Sequence, residues 1–165
     1  MIGRDEHAEG VTGIDVIIAA DKDRARAPFT VGGDGNGSDL RRSITMLVVD
    51  GNNVIGAVPD GWWRDRPAAV RRLLARMQCA ETPAVLVLDV PQADLPDGEH
   101  GTVTVRYATR RGRDAADDRI RELVAERPGA TVVTSDRALR RDVEAAGGTV
   151  IGARAFLGRL DTAGC

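Results

Sequence analysis

Two cysteines, two histidines and no long apolar run leave this sequence with few of the usual markers of function. Cys79 and Cys165 lack the spacing of a zinc site and are too few for a disulfide framework. Cys79 therefore reads as a small buried residue and no cross-link is expected. His7 lies in the N-terminal tail and His100 in an expected loop. Neither neighbourhood supports a histidine-based reaction. No stretch approaches the ~20 apolar residues of a membrane-spanning helix. The acids Asp5, Glu6 and Glu9 stand where a secretory signal would begin its apolar core. The expectation is a cytoplasmic protein without a membrane partner. Neither GxxxxGK[ST] nor GxGxxG occurs, so the familiar phosphate loops are excluded, and Gly32–Asp39 reads as a flexible linker.

Lysine is also scarce. Residues 44–165 hold equal numbers of acids and bases, and every one of those bases is arginine. A neutral domain is no bulk polyanion binder, so any nucleic-acid contact must come from local arginine clusters. Arginine is the better side chain for forked phosphate contacts.

What is present has a clear rhythm. Residues 1–43 are polar and glycine-rich and are expected to be a flexible extension, dispensable for folding, with one candidate strand at 13–20. From 44 to 160 short apolar runs alternate with amphipathic segments. Met46–Asp50, Ala84–Leu88, Thr102–Tyr107, Thr131–Thr134 and Thr149–Ile151 read as strands. Val70, Leu73, Leu74 and Met77 line one helix that starts near Asp65–Pro67. Ala116, Ile120, Leu123 and Val124 line a second, and Leu139, Val143 and Ala146 a third. A short helix at 153–160 closes the chain. This alternation predicts an α/β fold, a parallel sheet with helices on both faces.

The strands end on carboxylates. Asp50, Asp89 and Asp136 each lie at or just past the C-terminal end of an expected strand, and in a parallel sheet those ends share one edge. Asp114, Asp117 and Asp118 fall on one side of the first turn of a helix that starts at the same edge. Acids packed together repel unless a cation joins them, and carboxylate oxygens suit Mg2+ or Mn2+. Each acid also has an ordinary alternative. Asp50-Gly51 is a turn signal, and Asp114, Asp117 and Asp136 suit helix starts.

Val49-Asp50-Gly51-Asn52-Asn53, the strand ending at Asp89, Asp117-Asp118 before Ile120, and Val133-Thr134-Ser135-Asp136-Arg137 together resemble the NYN domain, a branch of the PIN-like nucleases. Pro59-Asp60-Gly61-Trp62-Trp63-Arg64-Asp65-Arg66 resembles an actinobacterial NYN subfamily. The likeness covers about residues 45–155. It implies a Rossmann-like PIN fold and divalent-metal-dependent ribonuclease chemistry acting on RNA. It places Asp50, Asp89, Asp117, Asp136 and Asn53 in the catalytic set, with Asp50, Asp117, Asp118 and Asp136 as metal ligands. Asp114 falls at a position that is often acidic. Arg110, Arg111 and Arg113 are expected to hold flanking phosphates, and Trp62, or its neighbour Trp63, to stack on a base. The alternatives are a PIN-like module that binds RNA or a partner without cutting, and a metal-dependent phosphohydrolase of small molecules. The sequence leaves a homo-oligomer open.

Overall fold

The computed structural model describes residues 46–112 and 114–165. The extension 1–43 and Arg113 lie outside the described residues, so the expectations placed on them carry no structural outcome. The chain forms a six-stranded sheet in the order β3-β4-β2-β1-β5-β6. The strands are β1 (Leu47–Asp50), β2 (Ala84–Leu88), β3 (Gly98–His100), β4 (Val103–Tyr107), β5 (Thr131–Val133) and β6 (Thr149–Ile151). Only the β3–β4 pair is antiparallel; the other four pairings are parallel. The helices are α1 (Gly51–Gly56), α2 (Arg66–Cys79), α3 (Ala115–Glu126), α4 (Arg137–Ala145) and α5 (Ala153–Thr162).

Both faces of the sheet are covered, as the unbroken apolar strands require. Leu47 and Val49 pack with Leu86, Leu88 and Val133 under α1, α2 and α5. Val48, Val87 and Val132 face Ile120, Leu123 and Val124 of α3 and Leu139 and Val143 of α4. Side chains alternate along a strand, so Asp50 shares the face of Val48 and points toward α3 and α4. The chain runs from β1 outward through β2 to β4, then returns to build β5 and β6 on the other side. The reversal falls between β1 and β5, and in open α/β sheets the crevice at such a point is where ligands bind.

Three features depart from the sequence reading. A helix, α1, begins at once after Asp50, where only a turn was expected; its six residues are too few to show a helical period. Residues 98–100, expected as loop, pair with β4 as an edge strand. Cys79 is exposed rather than buried, and it is bonded to Cys165. Their sequence separation of 86 hid the pairing, which needs α5 folded back against the end of α2. Arg76 strengthens the same junction by donating to the carbonyls of Cys165 and Leu157 and pairing with Asp161.

Two predictions follow from these junctions. A Cβ on Gly51 would stand 2.7 Å from Leu88 Cδ2 and 3.0 Å from the Val87 carbonyl oxygen. Gly51→Ala should therefore destabilise the fold by about 1–3 kcal/mol, read from the urea midpoint, because α1 has no room to retreat from β2. Closing a loop of this size should contribute about 4 kcal/mol through the unfolded chain. Dithiothreitol should lower the urea midpoint of the parent but not of Cys165→Ser.

Candidate active site

Asp50 is the last residue of the central strand and the N-cap of α1. It is 4% exposed. One carboxylate oxygen, Oδ1, accepts the backbone N–H of Asn53 at 3.1 Å, and Oδ2 accepts the hydroxyl of Thr134 at 3.0 Å. Burial pushes its pKa up to about 6; the two hydrogen bonds oppose the rise, and the charges of Asp117 and Asp136 add to it. Burial also raises Asp117, followed by the charge of Asp136, with Arg121 opposing. The charges of Asp50, Asp117 and Asp136 thus bear on one another across the β1–β5 crevice.

Each member of this group is held differently. Asp136 caps α4, its Oδ1 accepting from the N–H groups of Ala138 and Leu139. Thr134, fully buried, donates to Asp50 and accepts the N–H of Asp136, so one hydroxyl fixes two acids. Asn53 Oδ1 accepts the N–H of Ser135 at 2.8 Å, tying α1 to the end of β5. Ser135 Oγ in turn accepts the N–H of Ala153. Asp117 has no hydrogen-bond donor among the described residues.

Other acids expected here are engaged elsewhere. Asp89 turns to Arg66, whose Nη2 lies 2.8 Å from its Oδ1 and 2.6 Å from Asn52 Oδ1. Asp118 is paired with Arg110 and with Arg121, which also reaches Asp142 of α4. Asp114 sits at the start of α3 without a side-chain capping bond. Arg110 is spent on Asp118, and Arg111 is exposed. Of the two tryptophans, Trp62 packs on the core while Trp63 is 62% exposed, so the free ring is Trp63.

Pro59–Arg66 is mostly a structural turn. Gly61 takes the left-handed conformation at φ 79°, Asp60 accepts the N–H of Trp62, and Asp65 caps α2. Its last residue, Arg66, reaches Asn52 of α1 and Asp89 beyond β2.

Among the described residues, no three acidic, histidine or cysteine side chains stand close enough to grip a metal ion unaided. Asp89 and Asp118 are committed to arginines, and Asp50, Asp117 and Asp136 are not drawn together into one three-ligand group either. The remaining donors still fit Mg2+ or Mn2+. Such an ion is commonly bound through one or two carboxylates, with waters and substrate phosphate completing its shell. Asp50, Asp117 and Asp136 offer hard oxygens whose mutual repulsion a cation would relieve.

The buried charge predicts an unusual pH dependence. Asp50 binds its proton more tightly folded than unfolded, so ionising it disfavours folding. Its contribution is most favourable below pH 4 and is lost as the pH rises through about 6. At pH 7.5 the loss is on the order of 3 kcal/mol. In chelator, Asp50→Asn should therefore be more stable than the parent at pH 7.5, the difference shrinking toward pH 4.5 in urea titrations. Asparagine keeps a capping oxygen, so the cap itself is not lost. Lower stability of the variant at pH 7.5 would refute a repulsive cluster.

No family model and no curated protein matches the chain. Solved structures do. Rae1 (YacP) from Bacillus subtilis superposes with a TM-score of 0.59 at 24% identity, over 72% of this chain and 75% of that one. A tryptophan-to-leucine variant of the same protein gives a TM-score of 0.59 and 24% identity, over 73% and 77%. The likeness is one of fold: the chain is an α/β protein with a PIN-like, mostly parallel sheet.

Proposed function

We propose that this chain is a divalent-metal-dependent ribonuclease of the NYN type. The observation that carries the reading is the meeting of Asp50, Asp117 and Asp136 at the sheet's switch point, with Asp50 buried and raised to a pKa of about 6. Such perturbed acids in a crevice are the mark of a working site. The resemblance of residues 45–155 to the NYN domain supports the substrate class, and the fold shared with Rae1 supports the architecture that the reading needs.

Mg2+ or Mn2+, held through one or two of the carboxylates of Asp50, Asp117 and Asp136 with waters completing its shell, would supply charge to the phosphodiester and acidify a bound water. The chain's own residues do the rest. Thr134 and the Asn53 N–H lock the Asp50 carboxylate in one orientation. The two N–H groups on Asp136 Oδ1 leave its other oxygen free to face the crevice. Asp117, free of hydrogen bonds among the described residues and raised in pKa, accepts the proton of the attacking water on a carboxylate oxygen. Asp89 serves Arg66 rather than the reacting atoms, and Arg66 links α1, α2 and β2 behind the site. The Pro59–Arg66 turn, which resembles the actinobacterial subfamily, contributes that arginine.

Labelled single-stranded RNA and DNA, incubated with the protein in Mn2+ or in EDTA, test the reading. Cleavage of RNA should need the metal. Asp50→Asn and Asp117→Asn should each lower the rate by about 10²–10⁴. Asp118→Asn, which removes the ion pairs to Arg110 and Arg121, should stay within a few-fold of the parent. Cleavage by Asp50→Asn at the parental rate would overturn the assignment. Metal-independent binding without cleavage would make the chain a binding module.

A further inference from the structure

Beside the acids lies a groove of the opposite character. Asn52, Asn53, Gly56, Ala57, Ser135 and Arg154 surround an open hollow of about 650 Å³. It adjoins the acid site directly, because Asn53 also donates its N–H to Asp50 and receives that of Ser135. None of the residues lining it is acidic.

The polar side chains that line the hollow keep their donors on offer. Asn52 Oδ1 is committed to Arg66 and Asn53 Oδ1 to Ser135, which leaves both Nδ2 groups to donate. Ser135 Oγ already accepts from Ala153, so its hydroxyl proton is the part still on offer. Arg154 is exposed and has no ion-pair partner among the described residues. Most arginines near the site differ from it, since Arg66, Arg110 and Arg121 are each paired with an aspartate. A lining that offers several donors, no carboxylate and one cation without an ion-pair partner among the described residues suits an anionic, acceptor-rich ligand. Gly56 and Ala57 add a floor without bulky side chains, and the volume exceeds what one phosphate needs and suits a nucleotide.

We propose that this groove is a subsite for one nucleotide of single-stranded RNA flanking the cleaved bond, with Arg154 on its phosphate and the Asn52 and Asn53 amides on its sugar or base edge. The inference rests on reading the acid cluster as a phosphodiester-cleaving site. A separated base offers its edge to amide donors, which a paired base does not. The groove also moves the expected path of the strand away from Arg110, whose charge Asp118 already holds.

The test is binding of a fluorescein-labelled single-stranded RNA 12-mer, read by anisotropy across a salt series, in the Asp50→Asn background so that no cutting interferes. Adding Arg154→Gln should weaken binding about five- to tenfold and reduce the salt slope by roughly 0.7, one phosphate contact. Arg154→Lys should recover part of the affinity. Arg110→Gln should change it less than twofold. In the cleaving parent, Arg154→Gln should raise KM and leave kcat nearly unchanged. Unchanged affinity and slope in Arg154→Gln would overturn the subsite, as would failure of the Asp50→Asn protein to bind the RNA. The nuclease reading fails separately. An Arg154-dependent affinity without any cleavage by the parent would sink that reading and leave the groove as an RNA site. Asp50-dependent cleavage indifferent to Arg154 would do the reverse.

Discussion

A carboxylate buried at the end of the central strand is the constraint around which this fold is arranged. Asp50 is removed from water with two hydrogen bonds to hold it and two like charges nearby. A single mid-sheet strand must therefore bring the chain to an acid while its neighbours supply compensation. β5 does so through Thr134, and α1 through the N–H of Asn53. The absence of a loop between β1 and α1 keeps the carboxylate and its cap on two rigid elements at once. Gly51 makes that junction feasible, since any side chain there would press into β2. The cost to the empty fold comes first from burying the Asp50 carboxylate, and the charges of Asp117 and Asp136 add to it; a cation would offset both.

The strands and long helices were legible because their apolar spacing obeys a period of two or of 3.6 over enough residues. With the helices in place, parity accounts for the face of Asp50, which lies two residues from Val48 on the side of α3 and α4. Legibility ended where a side chain had to choose between partners. Asp89 also ends a strand, yet Arg66 draws it away. Asp118, next to Asp117 on the helix, is taken by two arginines. Sequence spacing gives the face of an element but not which opposite charge reaches it first. Thr134 stood inside a motif already noticed, between Val133 and Ser135. Its role depends on a contact across 84 residues, which no local signal carries. The same blindness to distance hid the bond between Cys79 and Cys165.

That bond divides the chain topologically. From the end of α2 to the last residue it closes a covalent ring that contains β2 through β6 and α3 through α5. β1 and α1 stay outside the ring, yet β1 lies between β2 and β5, both of which belong to it. The sheet is thus a ring with a slot, filled by one strand from outside. Asp117 and Asp136 travel with the ring and Asp50 with the insert. Withdrawing the insert would break both ladders of β1 while the cross-link kept the ring's ends together. The three acids would then be divided between two pieces of the chain, so the site exists only while the slot is filled.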